Sequence, residues 1–163
     1  MTPRLEKCFT TCSYISVEDT LDLKTIRNGN RRTIVPITHG FITGSGLDAT
    51  IIQGGSDRVT LDEKQNIAYL DVRLQARTAN GHAMHVHYTG VVKLDEAGNK
   101  VLEKAPDAQT TNYGDHHWFS APVMETSDEN FKWVESNLFV GQGHYVVNDG
   151  GNAVEYQIFK VVN

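Results

Sequence analysis

Three short segments carry side chains able to move protons or stabilise an oxygen anion. In Leu70-Asp71-Val72-Arg73-Leu74-Gln75-Ala76 an acid and a guanidinium stand two residues apart. In Met84-His85-Val86-His87-Tyr88-Thr89-Gly90 two imidazoles have the same spacing. In His116-His117-Trp118-Phe119 two histidines precede an aromatic pair, and a further histidine, His39, stands before Gly40. Imidazole titrates near neutral pH, so it can take and return a proton. A guanidinium is always charged, and its planar fork suits an enolate or phenolate oxygen. Seven histidines in 163 residues is a rich supply.

Alternate residues of a strand share a face. Asp71, Arg73 and Gln75 therefore form one row, opposite Leu70, Val72, Leu74 and Ala76. His85, His87 and Thr89 form another, opposite Met84, Val86 and Tyr88. Each row has two readings. It is the solvated side of a half-buried strand, or it lines a ligand pocket inside a barrel. His116 and His117 point oppositely on an extended chain, so at most one joins a given cluster. His-x-His on a strand also opens the metal set of cupin-type barrels, but Val91, Val92 and Lys93 stand where that pattern wants a Glu. The metal reading through His85 and His87 stays an alternative, and no metal or other cofactor is expected. No nucleophile elbow, phosphate loop, dinucleotide fingerprint or paired-carboxylate signature occurs.

The elements that hold these rows are strands. Short β-branched or aromatic runs recur along the chain: Lys7–Val17, Thr33–Phe41, Leu47–Gln53, Ile67–Arg77, Met84–Leu94, His116–Met124, His144–Val147 and Ala153–Val162. Between them stand turn signals such as Gly54-Gly55-Ser56-Asp57 and Glu96-Ala97-Gly98-Asn99. Asn80-Gly81 and Asp149-Gly150 predict hairpins over 77–82 and 148–152. Only Ser127–Asn137 reads as a short helix, with Ser127 as N-cap. About eight to ten strands with at most one short helix point to an all-β sandwich or closed barrel, one domain over 1–163, and the unusual alternation of the polar rows favours the barrel.

Composition narrows the function classes. One domain is expected at this length. A formal charge of −5 argues against a nucleic-acid surface. No apolar run is long enough for a spanning helix, so no membrane partner is expected. Met1–Tyr14 has no apolar block of the secretory kind, and a cytoplasmic location is expected. Cys8 and Cys12 are read as reduced, small apolar residues.

An ordered set of motifs extends from about residue 31 to the C-terminus. It comprises Arg31-Arg32-x-x-x-Pro36-Ile37-Thr38-x-Gly40, Gly44-x-Gly46, Gly54-Gly55-x-Asp57 and Asp71-x-Arg73. It continues with Gly81, Gly90, Trp118-Phe119-x-x-Pro122-x-x-Glu125 and Trp133-x-x-x-Asn137-x-Phe139-Val140-Gly141-x-Gly143. The set resembles the domain-of-unknown-function 3237 family (UPF0311-type). The resemblance implies a calycin-like barrel, oligomeric, with no established activity for most members. Some fungal relatives look like cofactor-free cyclases or isomerases of phenolic polyketides, including oxa-Michael ring closures. The chain departs from that pattern at His39, Leu74 and Ser120, and at His85 and His87, where relatives often carry Tyr and Arg.

The expected function is thus a cofactor-independent cyclase or isomerase of a phenolic or polyketide small molecule, in secondary metabolism. A non-catalytic binding barrel is the alternative. The candidate catalytic set is Arg73, His85, His87, Asp57 and His39. The candidate binding set is Asp71, Tyr88, His117, Trp118, Glu125 and Trp133. Arg73 would hold the developing oxyanion, Asp71 would orient its fork, and a histidine would relay the proton. Tyr88 and Trp118 either stack on a ligand ring or are core. The expected partners are a small-molecule substrate and further copies of the chain. Everything requires that the charged and imidazole rows face the lumen.

Overall fold

The structure, a computed structural model, describes residues Met1–Asn163. Nine strands form in chain order: β1 (Arg4–Ile15), β2 (Leu21–Thr25), β3 (Arg31–Gly44), β4 (Leu47–Asp62), β5 (Ile67–Thr78), β6 (Ala83–Lys93), β7 (Trp118–Thr126), β8 (Phe139–Asn148) and β9 (Gly151–Val162). All pairings are antiparallel, and β1 pairs with both β9 and β3. That second pairing closes β1 and β3–β9 into an eight-stranded barrel, with β2 added along the outer half of β3. Closure removes the sheet edges that an open sheet would expose.

Strand alternation decides what fills the barrel. Leu70, Val72, Leu74 and Ala76 of β5, Met84, Val86 and Tyr88 of β6, and Trp118 and Met124 of β7 are buried. They join one core cluster with Phe9, Ile42, Ile51, Tyr145, Tyr156 and Ile158. An eight-stranded barrel is just wide enough for its side chains to fill. Both expected hairpins form, with turns between Thr78 and Ala83 and between Asn148 and Gly151.

Three elements differ from the sequence expectation. The Gly54-Gly55-Ser56-Asp57 segment is not a turn, because β4 runs through it with a shift of register against β5 between Ile52 and Ser56. A Cβ on Gly55 would stand 2.6 Å from the Arg73 carbonyl oxygen, so glycine alone fits that crossing. The Glu96-Ala97-Gly98-Asn99 signal opens a helix, α1 (Glu96–Leu102), capped by Asp95, whose side chain accepts from the Gly98 N–H at 2.8 Å. The expected helix near 127–137 forms as a 3₁₀ segment, Glu129–Ser136, with Asp128 rather than Ser127 as its cap. There are thus two short helices, not one, and they sit at opposite ends of the barrel.

β7 and β8 pair only through Phe119–Gln142 and Ser120–Gly141. Beyond those pairs the strands part, and the connection 103–117 fills the gap. Its Thr111 N–H donates to the Tyr145 carbonyl at 3.0 Å, and its Thr111 hydroxyl accepts from the Tyr145 N–H at 3.0 Å.

Candidate functional site: a barrel chamber around Asp57

Near the α1 end of the barrel the packing leaves a chamber of about 70 Å³. Thirteen residues line it, and Asp57 is the single non-hydrophobic one. Tyr88, Trp118, Tyr145, Val72 and Leu70 form much of its wall, and Leu102 of α1 closes it from above. A second, larger cavity of about 460 Å³ shares Ile15, Val35, Val59 and Leu102 with the chamber. Half of its lining is hydrophobic, and the rest includes Thr20, Arg31, Thr33, Asn66, Asn99 and Glu103. The two form an apolar inner compartment and a vestibule of mixed lining, together within the roughly 300–1,000 Å³ of a small-molecule site.

Asp57 is reached from β4 just beyond the glycine bulge. Its Oδ1 accepts one backbone N–H, that of Asp71, at 3.1 Å. No cationic residue lines the chamber. Burial therefore raises the Asp57 pKa to about 7, with the Asp71 charge adding and the Asp71 N–H opposing. A carboxyl so placed is half protonated near neutrality, which suits a group that must both accept and return a proton.

The aromatic wall is held by its own contacts. Trp118 Nε1 donates to the Tyr156 hydroxyl at 2.8 Å, and the Tyr88 ring meets Tyr156 edge-on with centroids 5.2 Å apart. Trp118 lies on β8 at Gly143, where a Cβ would stand 2.7 Å from its ring. Burial, then the charge of Asp57, pushes the Tyr88 phenol far above its ordinary value. Burial, then Asp95 and Asp57, does the same to Tyr145. Both remain protonated donors at any ordinary pH. Behind this wall His116 contacts Asp95 through Nδ1 and the Thr111 hydroxyl through Nε2, the latter at 2.9 Å. Its ring also packs against Tyr145, with centroids 5.2 Å apart.

Of the expected site residues, the chamber gathers Asp57, Tyr88 and Trp118. It does not gather the others. Asp71 and Arg73 occupy the outer face of β5, and His85 and His87 the outer face of β6, because the apolar partners on each strand point inward. The Arg73 side chain is 57% exposed, with its Nε 4.0 Å from Asp71 Oδ1. His87 Nε2 lies 3.1 Å from the same carboxylate, and His85 Nδ1 lies 3.4 Å from Glu125 Oε2, all on the outer wall. His39 is exposed and stacks on Tyr14, with centroids 4.3 Å apart. His117 is exposed, and its neighbour His116 is the buried one. Trp133, on the 3₁₀ segment at the other end, stacks on Phe9. The expectation of a charged and imidazole-lined lumen is therefore corrected: the lumen is aromatic and aliphatic around one carboxyl.

No group of three or more His, Cys, Asp or Glu side chains is gathered closely enough to hold a metal ion. His85 and His87 each stand beside a different carboxylate, Glu125 and Asp71, and do not converge on one point. No helix is long and apolar enough to cross a membrane. Both cysteines are free thiols, and burial with the nearby Glu155 charge pushes Cys12 up to about 12.

Sequence reasoning missed Tyr145, Tyr156 and His116. The two tyrosines were hidden in runs read simply as strands. The signal for His116 was present in the strand parity: it shares parity with Trp118, which carries the chamber wall.

Residues 3–161 match the family described as "Protein of unknown function (DUF3237)". A UPF0311 protein of Rhodopseudomonas palustris is 25% identical over 141 residues, covering 86% of this chain and 89% of that protein. A UPF0311 protein of Clostridium acetobutylicum is 23% identical over 112 residues, covering 68% and 67%. A crystal structure of a conserved R. palustris protein of unknown function superposes with a TM-score of 0.81, at 20% identity and 99% coverage of both chains. A β-barrel-like protein of Acinetobacter baumannii superposes at 0.75, with 20% identity and coverage of 99% and 98%. An enzyme from Penicillium herquei superposes at 0.57, with 18% identity and coverage of 97% and 96%. These structural likenesses establish the barrel.

Proposed function

Given that the chain belongs to the DUF3237 family, whose description assigns no function, we propose that it converts a small organic molecule by general acid–base catalysis in the barrel chamber. One observation carries the reading: a lone carboxyl with a pKa of about 7 in an otherwise apolar and aromatic compartment open to a vestibule. Asp57 is the proton-transfer group. The phenols of Tyr88 and Tyr145 are donors for an oxygen that gains charge. Trp118 is the flat wall against which a ring rests.

The reaction class that fits is one in which a proton leaves one atom and another returns nearby, an isomerisation or intramolecular ring closure. For a phenol closing on an enone, Asp57 takes the phenolic proton as the oxygen attacks the β-carbon. The electron pair moves to the carbonyl oxygen, where a tyrosine donates a hydrogen bond. Asp57 then returns the proton to the α-carbon. Each donor aimed at the enolate oxygen contributes about 2.7–4 kcal/mol, and fixed placement of the reacting atoms about 7–11 kcal/mol. The likeness of the fold to a fungal enzyme supports a catalytic reading over a carrier. The chamber volume supports entry of the reacting end only, with the remainder of the substrate in the vestibule.

The test needs no natural substrate. Acetone in deuterated buffer, followed by NMR, should exchange its α-protons faster with the protein than without it. The enhancement should rise with pH through about 7, as Asp57 loses its proton, and vanish in Asp57→Asn. Equal exchange by the wild-type protein and Asp57→Asn removes Asp57 from the chemistry.

A further inference from the structure

The four residues shared by chamber and vestibule define a neck. Ile15, Val35 and Val59 belong to β1, β3 and β4, and their positions are fixed by the barrel ladder. Leu102 comes from outside the barrel, at the last position of α1. That helix is held at several points. The Asp95 carboxylate caps its first turn at Gly98. A Cβ on Gly98 would stand 2.7 Å from the Tyr145 ring, so the helix lies flat on the chamber wall. Val101 is fully buried, and its carbonyl accepts from Asn152 Nδ2 at 2.7 Å. Lys104, just past the helix, pairs with Glu18 on the loop across the mouth. Leu102 is thus a fixed stop at the neck.

Charge sorts what passes it. No Lys, Arg or His lines the chamber, and Asp57 is already there. An anionic head would enter low dielectric beside a carboxyl and lose its hydration with no counter-ion to replace it. The nearest guanidinium in the vestibule, Arg31, is taken by Asp22 at 2.7 Å and Glu63 at 3.2 Å. An alkylammonium would bring three donors to a compartment with one carboxyl.

Resting on the acid–base reading of this chamber, we propose that it admits only an uncharged head of an amphipathic substrate and that Leu102 sets the size of that head. At about 70 Å³, roughly half the volume of a cavity that holds benzene, the chamber takes a head of about four or five heavy atoms. The polar remainder stays among Thr20, Thr33, Asn66 and Asn99 of the vestibule.

Calorimetric titration with four probes tests this: acetone, acetate, isopropylammonium and the bulkier cyclohexanone. Acetone should bind at least tenfold more tightly than either ion. Leu102→Ala should shift the cyclohexanone to acetone affinity ratio at least tenfold toward the bulky ketone. Leu102→Trp, with an unchanged near-ultraviolet circular dichroism spectrum, should weaken acetone at least tenfold. Binding of either ion equal to or tighter than the ketone, an unchanged size ratio in Leu102→Ala, or no binding of any probe overturns the proposal. The two readings fail separately. Selective ketone binding without Asp57-dependent exchange sinks the catalytic reading and leaves this one. Asp57-dependent exchange without the size and charge selectivity does the reverse.

Discussion

The inward residues of β5–β7, Leu70, Val72, Tyr88, Val92 and Trp118, help to line the chamber around Asp57 of β4, and the ionisable groups of their outer wall and of that chamber have opposite fates. On the wall, Arg73, Asp71, His85, His87 and Glu125 pair loosely at 3.1–4.0 Å in contact with water. Pairs of this kind contribute about 0–1 kcal/mol and little chemistry, since solvent screens every charge. In the chamber a single carboxyl has one backbone donor and no cation, and its proton affinity moves far from the ordinary carboxylate range. The wall has more reactive-looking residue types. The chamber has the environment that changes what a residue does. Desolvation, more than the number of titratable groups, marks the site.

Four substitutions would sharpen or break this contrast. Trp118→Ala should have the largest effect, because the ring is 2% exposed and holds the wall through Tyr156. A loss of about 3–5 kcal/mol is expected in denaturant unfolding, and a loss under 1 kcal/mol would mean that the wall does not depend on it. Asp57→Asn is next, and its sign depends on pH. The folded carboxyl holds its proton up to about pH 7, whereas its ordinary value is 3.8. Between those values the folded state binds more protons than the unfolded one, so the Asp57 contribution falls as pH rises and levels off above about 7. Asp57→Asn should therefore gain stability relative to wild type from pH 4 to 8, on the order of 2–4 kcal/mol at the top, while losing exchange activity. A difference independent of pH across that range would show that Asp57 titrates as an ordinary surface acid. The smallest effect belongs to the wall. Arg73→Ala and His85→Gln should each change stability by less than about 0.5 kcal/mol and leave ketone exchange unaltered. A tenfold loss of exchange in either would move the chemistry outside the barrel.

Much of the fold was legible. The spacing of β-branched runs and the Asn80-Gly81 and Asp149-Gly150 signals marked most of the strands and two hairpins. The strand β2 and helix α1 were not legible. β2 is five residues, and its alternating leucines, Leu21 and Leu23, stay exposed, so it is too short to stand out by pattern and adds no face to the core. α1 is a single capped stretch whose Gly98-Asn99 reads locally as a turn. The candidate site is partly legible: the sequence singles out Asp57, Tyr88 and Trp118, which the chamber gathers, whereas Tyr145, Tyr156 and Leu102 carry no local signal. Parity with Trp118 points to His116 rather than His117 as the inward histidine. The rows containing Arg73 and the paired imidazoles drew attention by residue type, although the strictly apolar opposite faces of β5 and β6 already favoured the inside.

The sequence by itself determined that this chain makes strands, roughly where they turn, and that each has one apolar and one polar face. A period of two records that two faces differ; it does not record what each will meet. Only closure through the β1–β3 pairing made one face an interior. Only the register shift at Gly54-Gly55 and the placement of α1 bring a lone carboxyl and Leu102 to one apolar chamber. Those outcomes depend on residues tens of positions apart meeting in space, and no local pattern carries that distance.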